Sequence, residues 1–488
     1  MQTGLFIGGE FVDGIDSGTI DTVDPHDGSV IAAVAEAREA DVDRAVAAAA
    51  MAFEGWSRTA AAERGRLLLR LADLVEANAD ELALLETRDT GHPIRDTVGL
   101  DVPRTAATFR YFGGMADKVQ GSVIPVEPGF LDYVVREPVG VVGQIVPWNF
   151  PLMFTSWKMG PALAAGNTVV LKPAELTPLS SLRVAELTAE AGFPPGVVNI
   201  VPGYGATAGQ RIAEHPGIGK VSFTGSTAVG RGVVTASAGN LKRVHLELGG
   251  KGPNIVFADA DLDAAVAGSA FGIFHNQGQA CIAGSRLILH DAIADEFLDR
   301  FCALARSIRI GDPKDPATEL GPLTSSGHRD RVLAHLKVAA DAGDDILVGG
   351  GPPADPALAA GCYVEPTVVA ADPSHRVAQE EVFGPVVAVH RFADDDEALR
   401  IANGVVYGLG SGLWTRDLSR AHRMARDLRA GMVWVNSYKR VNPGSPFGGV
   451  GQSGYGREMG FEAMHEYTEA KAVWINVDAV LPPFYRRG

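Results

Sequence analysis

The chain is poor in cysteine, with only 3 in 488 residues: Cys281, Cys302 and Cys362. A sparse, odd set excludes a disulfide framework and points to a reducing compartment. No CxxC or HxxxH spacing occurs, so no catalytic metal is expected. Positive charge is also scarce. Lys and Arg number 43 against 59 Asp and Glu, for a formal net charge of −16. That balance argues against nucleic-acid or anionic-membrane partners. No apolar run reaches the ~20 residues needed to span a bilayer. The opening stretch Met1-Gln2-Thr3-Gly4-Leu5-Phe6-Ile7 has neither the basic segment nor the apolar length of a secretion signal. The expectation is a cytoplasmic protein without internal repeats or low-complexity linkers.

What is present reads as soluble and globular, with 46% hydrophobic and 21% charged residues. The length exceeds one hydrophobic core, so two or three domains are expected. Short apolar runs broken by Gly, Asp and Pro fill residues 5–36 and read as strands and turns. Helical patterns follow over Asp41–Trp56 and Thr59–Thr87, the second closed by Gly91-His92-Pro93, with His92 read as structural. Phe130–Pro138 and Ala472–Val477 read as strands outside any βαβ unit. From Val141 to about Gly249 strand and helix alternate, with Thr177 as N-cap and Pro178 at the first position of a helix to Ala191. A second alternating block runs from Asn254 to about Asn436, in which Cys302 reads as packing and Cys362 as the start of a strand. Such alternation predicts parallel doubly wound sheets with ligands at the carboxyl ends of the strands.

The chemistry-bearing stretch is Phe274-His275-Asn276-Gln277-Gly278-Gln279-Ala280-Cys281-Ile282-Ala283-Gly284-Ser285-Arg286. It sets one thiol among small residues, between an apolar helix and a strand. That thiol is either a nucleophile in a cleft or an ordinary buried cysteine. Two glycine segments compete for a phosphate at a helix N-terminus. Gly203-Tyr204-Gly205-Ala206-Thr207-Ala208-Gly209 misses the dinucleotide fingerprint by one residue, and Gly225-Ser226-Thr227-Ala228-Val229-Gly230 keeps only its outer glycines. Pattern alone does not choose between them.

These segments occur in one chain with Val146-Pro147-Trp148-Asn149-Phe150-Pro151, Leu171-Lys172-Pro173-Ala174-Glu175, Leu246-Glu247-Leu248-Gly249-Gly250-Lys251, Glu380-Glu381-Val382-Phe383-Gly384-Pro385 and Pro446-Phe447-Gly448-Gly449. The set, in this order, resembles the NAD(P)-dependent aldehyde dehydrogenase superfamily over nearly the whole sequence. The resemblance implies an α/β fold of two doubly wound parallel-sheet domains plus a small oligomerisation β-sheet. Residues 1–118 and 139–249 would form the NAD-binding domain, and 250–448 the catalytic domain. Residues 119–138 and 466–488 would form the oligomerisation segments of a homodimer or homotetramer. The pyrophosphate would lie near Phe223, Thr224, Gly225 and Ser226, with Val146, Pro147, Trp148, Gly205, Val229 and Leu248 also around the cofactor.

Lys172 and Glu175 are either a solvated turn or, by resemblance, the adenosine-ribose contacts. A carboxylate there repels a 2′-phosphate, which predicts NAD over NADP. Glu381 and Phe383 match positions at the nicotinamide ribose and ring. Cys281 would be the nucleophile and Glu247 the general base, with Asn149 donating to the alkoxide and Lys158, Gly250 and Glu458 near a proton path. Alone, Asn149 reads equally as a turn residue and Glu247 as a strand-end carboxylate. Phe150, Trp157, Ala280, Ile282, Tyr438 and Phe447 would line the aldehyde pocket. Lys439-Arg440 is either a solvated loop or an attractant for a distal carboxylate, which would make the substrate a semialdehyde. The rival readings are a cysteine-dependent ester or thioester hydrolase and a non-catalytic protein on the same fold.

Overall fold

The computed structural model describes residues 2–480. Two large sheets organise it. The first has eight strands, in the order Gly454–Tyr455, Arg243–Glu247, Lys220–Thr224, Val141–Ile145, Thr168–Lys172, Val198–Ile200, Leu5–Ile7 and Glu10–Val12. The five strands from Arg243–Glu247 to Val198–Ile200 run parallel. Their interiors are buried on both faces, as Thr168–Lys172 and Lys220–Thr224 show at every position, which is what crossover helices on both sides impose.

The second sheet has seven strands, ordered Asp345–Val348, Thr367–Ala370, Val386–Phe392, Arg286–His290, Pro253–Val256, Gly410–Trp414 and Met432–Val435. All neighbours are parallel except the first pair. A separate antiparallel sheet joins Thr468–Asn476, Phe130–Pro138 and Ser122–Ile124. Residues 481–488 of the expected oligomerisation segment lie outside the described residues. No described helix is long and apolar enough to cross a membrane.

Several local expectations change. The pattern over Thr59–Thr87 is two helices, Ala61–Ala77 and Ala79–Thr90, because Asn78 breaks the run and turns its side chain onto the Leu74 carbonyl at 2.8 Å. The helix after Thr177 starts at Leu179, with Pro178 as its N-cap and the Asp89 carboxylate accepting from the Leu179 N–H at 2.9 Å. Thr177 instead donates to the Trp148 carbonyl. Cys362 is buried in irregular chain, and the strand begins only at Thr367. The helix Val102–Met115 had no forecast. Neither did Gly454–Tyr455, which returns the chain after the second sheet to the edge of the first beside Glu247.

Candidate active site

The carboxyl ends of the first sheet's parallel strands open into a cleft of about 620 Å³ closed on its far side by the second sheet's loops. Every residue expected around the cofactor lines it: Val146, Pro147, Trp148, Lys172, Glu175, Gly205, Phe223, Thr224, Gly225, Ser226, Val229, Leu248, Glu381 and Phe383. The helix Thr227–Ser237 points its N-terminus here, with the Ser226 hydroxyl accepting from the Val229 N–H at 3.4 Å. Gly225 lies under the Phe223 ring, where a Cβ would sit 2.5 Å from the ring carbon Cζ. Both competing glycine segments therefore reach the same cleft, Gly205 from one and Gly225 from the other.

Lys172 is buried, and desolvation lowers its pKa. Its ammonium donates to the Pro173 carbonyl at 2.8 Å and to Glu175 at 3.3 Å. Such a pre-paired cation and carboxylate at a strand end suits the hydroxyls of a ribose. Glu381 accepts from the Gly250 N–H at 2.8 Å, and burial pushes its carboxyl up to about 7. The Phe383 ring stands edge-on to Trp148 at 5.3 Å. The cleft's length, its helix terminus and this polar pair fit a dinucleotide.

Cys281 is partly exposed and borders this cleft. It follows the left-handed residues Asn276, Gln277 and Gly278, at φ of 52°, 54° and 72°. Burial pushes its thiol well up, with Glu381 and Glu247 adding to the effect, while the Ile282 N–H and the Lys439 charge pull the other way. The free thiol is therefore protonated at neutral pH, and a base or a nearby positive charge must release the thiolate.

Asn149 is buried and its side chain donates one amide hydrogen to the Gln279 carbonyl at 2.9 Å, while its backbone carbonyl accepts from the Asn276 side-chain amide at 2.8 Å. The second amide hydrogen is available to an oxyanion. Glu247 is also buried, with one oxygen 3.2 Å from His245 Nε2 and the other without a partner. Desolvation first, then the charge of Glu458, raises its pKa well above the ordinary carboxylate range. Behind it, Lys158 pairs with Glu458 and donates to Ser222 at 3.0 Å.

Cys281 borders a second chamber as well, on the side away from the cleft. Phe150, Trp157, Ala280, Ile282 and Phe447 line it, together with Arg104, Phe271, His275 and Lys439. Cys281 thus borders both a dinucleotide-sized cleft and an aromatic chamber.

A family model described as "Aldehyde dehydrogenase family" matches residues 11–473. The chain belongs to the aldehyde dehydrogenase family. It is an oxidoreductase of aldehydes by that membership. Among similar proteins is the NADP/NAD-dependent aldehyde dehydrogenase PuuC of Escherichia coli strain K12, 47% identical, with 98% of this chain and 97% of that protein covered. The structure of PnpE from Pseudomonas sp. WBC-3, in complex with nicotinamide adenine dinucleotide, shares 68% identity with a TM-score of 0.99 over 100% of both chains. An NAD complex of aldehyde dehydrogenase from Bacillus cereus shares 45% identity with a TM-score of 0.96, covering 98% of this chain and 97% of that one.

One expectation for the pocket of this aldehyde dehydrogenase needs correction. Tyr438 does not line the chamber. Its ring packs against Gly272, Gly284 and Gly412 and tilts on Trp434 at 5.2 Å, so it belongs to the second sheet's core. Arg440 is exposed and outside the chamber, whereas Lys439 is 4% exposed and inside it. The left-handed φ of 53° at Lys439 places these neighbours in opposite environments. Sequence reasoning missed Arg104, because it sits on a helix with no motif of its own, and His328, whose ring lies 4.9 Å from Trp148 in the cofactor cleft.

His92 bonds Asp101 at 2.7 Å and stands edge-on to Phe150, behind the chamber. With Asp96 and His275 it forms a trio whose ligand-capable atoms lie within 4.8 Å of one another, an arrangement that the reading of no catalytic metal did not anticipate.

Proposed function

We propose that this chain oxidises an aldehyde to the free carboxylic acid with NAD, through a covalent adduct on Cys281. The observation that carries the proposal is the position of Cys281 on both the dinucleotide cleft and the aromatic chamber. The thiol gives up its proton to solvent, the thiolate being favoured by the Lys439 charge, and Sγ bonds to the aldehyde carbon. The carbonyl oxygen becomes an alkoxide held by the Asn149 amide and the Cys281 backbone N–H, an arrangement whose donors are worth about 2.7–4 kcal/mol each. When bound, NAD accepts the hydride that this tetrahedral carbon expels. The carbon is oxidised and left as a thioester on Cys281. Glu247 then takes a proton from water as the water oxygen bonds to the acyl carbon. The C–S bond breaks, the acid leaves, and the thiolate returns. Lys158 and Glu458 lie behind Glu247 as a path for the proton outward.

Glu175 at the ribose end favours NAD over NADP, and Glu175→Ala is expected to narrow that gap in kcat/KM. Trp474 and Ile475, exposed on the antiparallel sheet, support assembly as a homodimer or homotetramer through that edge. All three cysteines are free, in keeping with a reducing cytoplasm.

The test is absorbance at the NADH wavelength with the purified chain, NAD and a panel of aldehydes. The proposal expects NADH and free acid in equal amounts. A cysteine hydrolase would cleave thioesters without reducing NAD, and a non-catalytic protein would do neither.

A further inference from the structure

The substrate chamber contains an unbalanced charge. Lys439 is fully desolvated, and its Nζ has no hydrogen-bond partner. Phe271 lies below it at 6.0 Å. Arg104, largely buried, lines the same chamber and makes no hydrogen bond or salt bridge to another described side chain. No Asp or Glu lines the chamber among the described residues. The Asp101 charge reaches Arg104, but its carboxylate is bonded to His92. Exposed Arg440 adds positive potential at Arg104. Lys158 and Lys172, by contrast, are paired with Glu458 and Glu175. A desolvated cation without a counter-ion is costly, and Lys439, with the partly buried Arg104 in the same lining, suits an anion that arrives with the ligand.

Resting on the oxidation reading above, we propose that the substrate is an aldehyde bearing a carboxylate at its far end, held by Arg104 and Lys439 while its carbonyl meets Cys281. Arg104 offers the fork that matches a carboxylate, and Lys439 supplies the second donor. The aromatic lining of the chamber suits the carbon chain. Lys439 is held in a left-handed backbone conformation, a strained state that structures keep where a side chain must be aimed. Of the neighbours Lys439 and Arg440 only Lys439 lines the chamber, and the second cation, Arg104, comes from the helix Val102–Met115.

The experiment compares kcat/KM for succinic semialdehyde and butanal, with NAD, in wild type, Lys439→Met and Arg104→Leu. Wild type should prefer the semialdehyde, and each substitution should lower the preference ratio at least tenfold, chiefly through KM for the semialdehyde. A merely structural role would lower both substrates together. The groups facing Lys439 are Cys281, Arg104 and His275. Desolvation lowers the Lys439 ammonium to about 7, so the ratio should also decline as pH rises through that region and the cation is lost. In wild type alone, which needs no folded variant, glutarate should compete with butanal and glutaramide should not. Butanal oxidation without semialdehyde preference, or a ratio unchanged in both variants, overturns this inference and leaves the oxidation reading standing. No NADH from either substrate overturns the oxidation reading itself.

Discussion

In the proposed reaction Glu247 decides whether the thioester is hydrolysed. Its carboxyl is raised by burial and by Glu458, with Lys158 and Arg457 acting against the rise. A base works only as the carboxylate, and a raised pKa means that this form appears as pH rises. Hydrolysis-limited kcat is therefore expected to climb with pH through a range well above that of an ordinary glutamate and to fall on acidification. A profile of kcat against pH checks this, and a flat profile from pH 5 to 8 would remove the assignment. Cys281, Asn149 and Glu247 could be singled out in the sequence because each is embedded in a motif. Tyr438 was assigned to the pocket by resemblance alone, and its ring packs among Gly272, Gly284 and Gly412 instead. Arg104 was illegible because its role depends on what lies across a chamber from it.

The elements that carry the site differ in how plainly they announce themselves. Strand–helix alternation exposed both parallel sheets, since short apolar runs bounded by turns have few other readings. The helix Pro151–Ala164, which follows Asn149 and carries Lys158, is buried at all 14 positions. It has no polar face and hence no amphipathic signature. The cysteine loop is the most constrained element. Gly278 takes a left-handed φ of 72°, and a Cβ there would collide with the Gly384 carbonyl. Gly278→Ala is expected to cost about 2 kcal/mol or more from the backbone and the overlap, and to lower kcat/KM by displacing Cys281. Thermal unfolding with parallel kinetics checks both, and an unchanged melting temperature would show the loop to be looser than described.

At the scale of the molecule, the two parallel sheets face each other across the cleft, and the antiparallel sheet stands apart from both. Its outer strand Thr468–Asn476 is exposed along most of its length, with Trp474 54% and Ile475 41% exposed. An uncovered strand edge with apolar side chains requires a partner surface. Light scattering is expected to give a dimer or tetramer for wild type and a smaller species for Trp474→Lys. A monomeric wild type would contradict the assembly.

The account rests on one sulfur that carries the acyl group between oxidation and hydrolysis. The most direct test is intact-protein mass spectrometry of Glu247→Gln mixed with NAD and an aldehyde, followed by peptide mapping. Removing the base from hydrolysis while keeping an oxidisable adduct should leave an acyl group on Cys281, formed with about one NADH per site. An unmodified Cys281 after a full burst of NADH, or an acyl group mapped to another residue, would contradict the account.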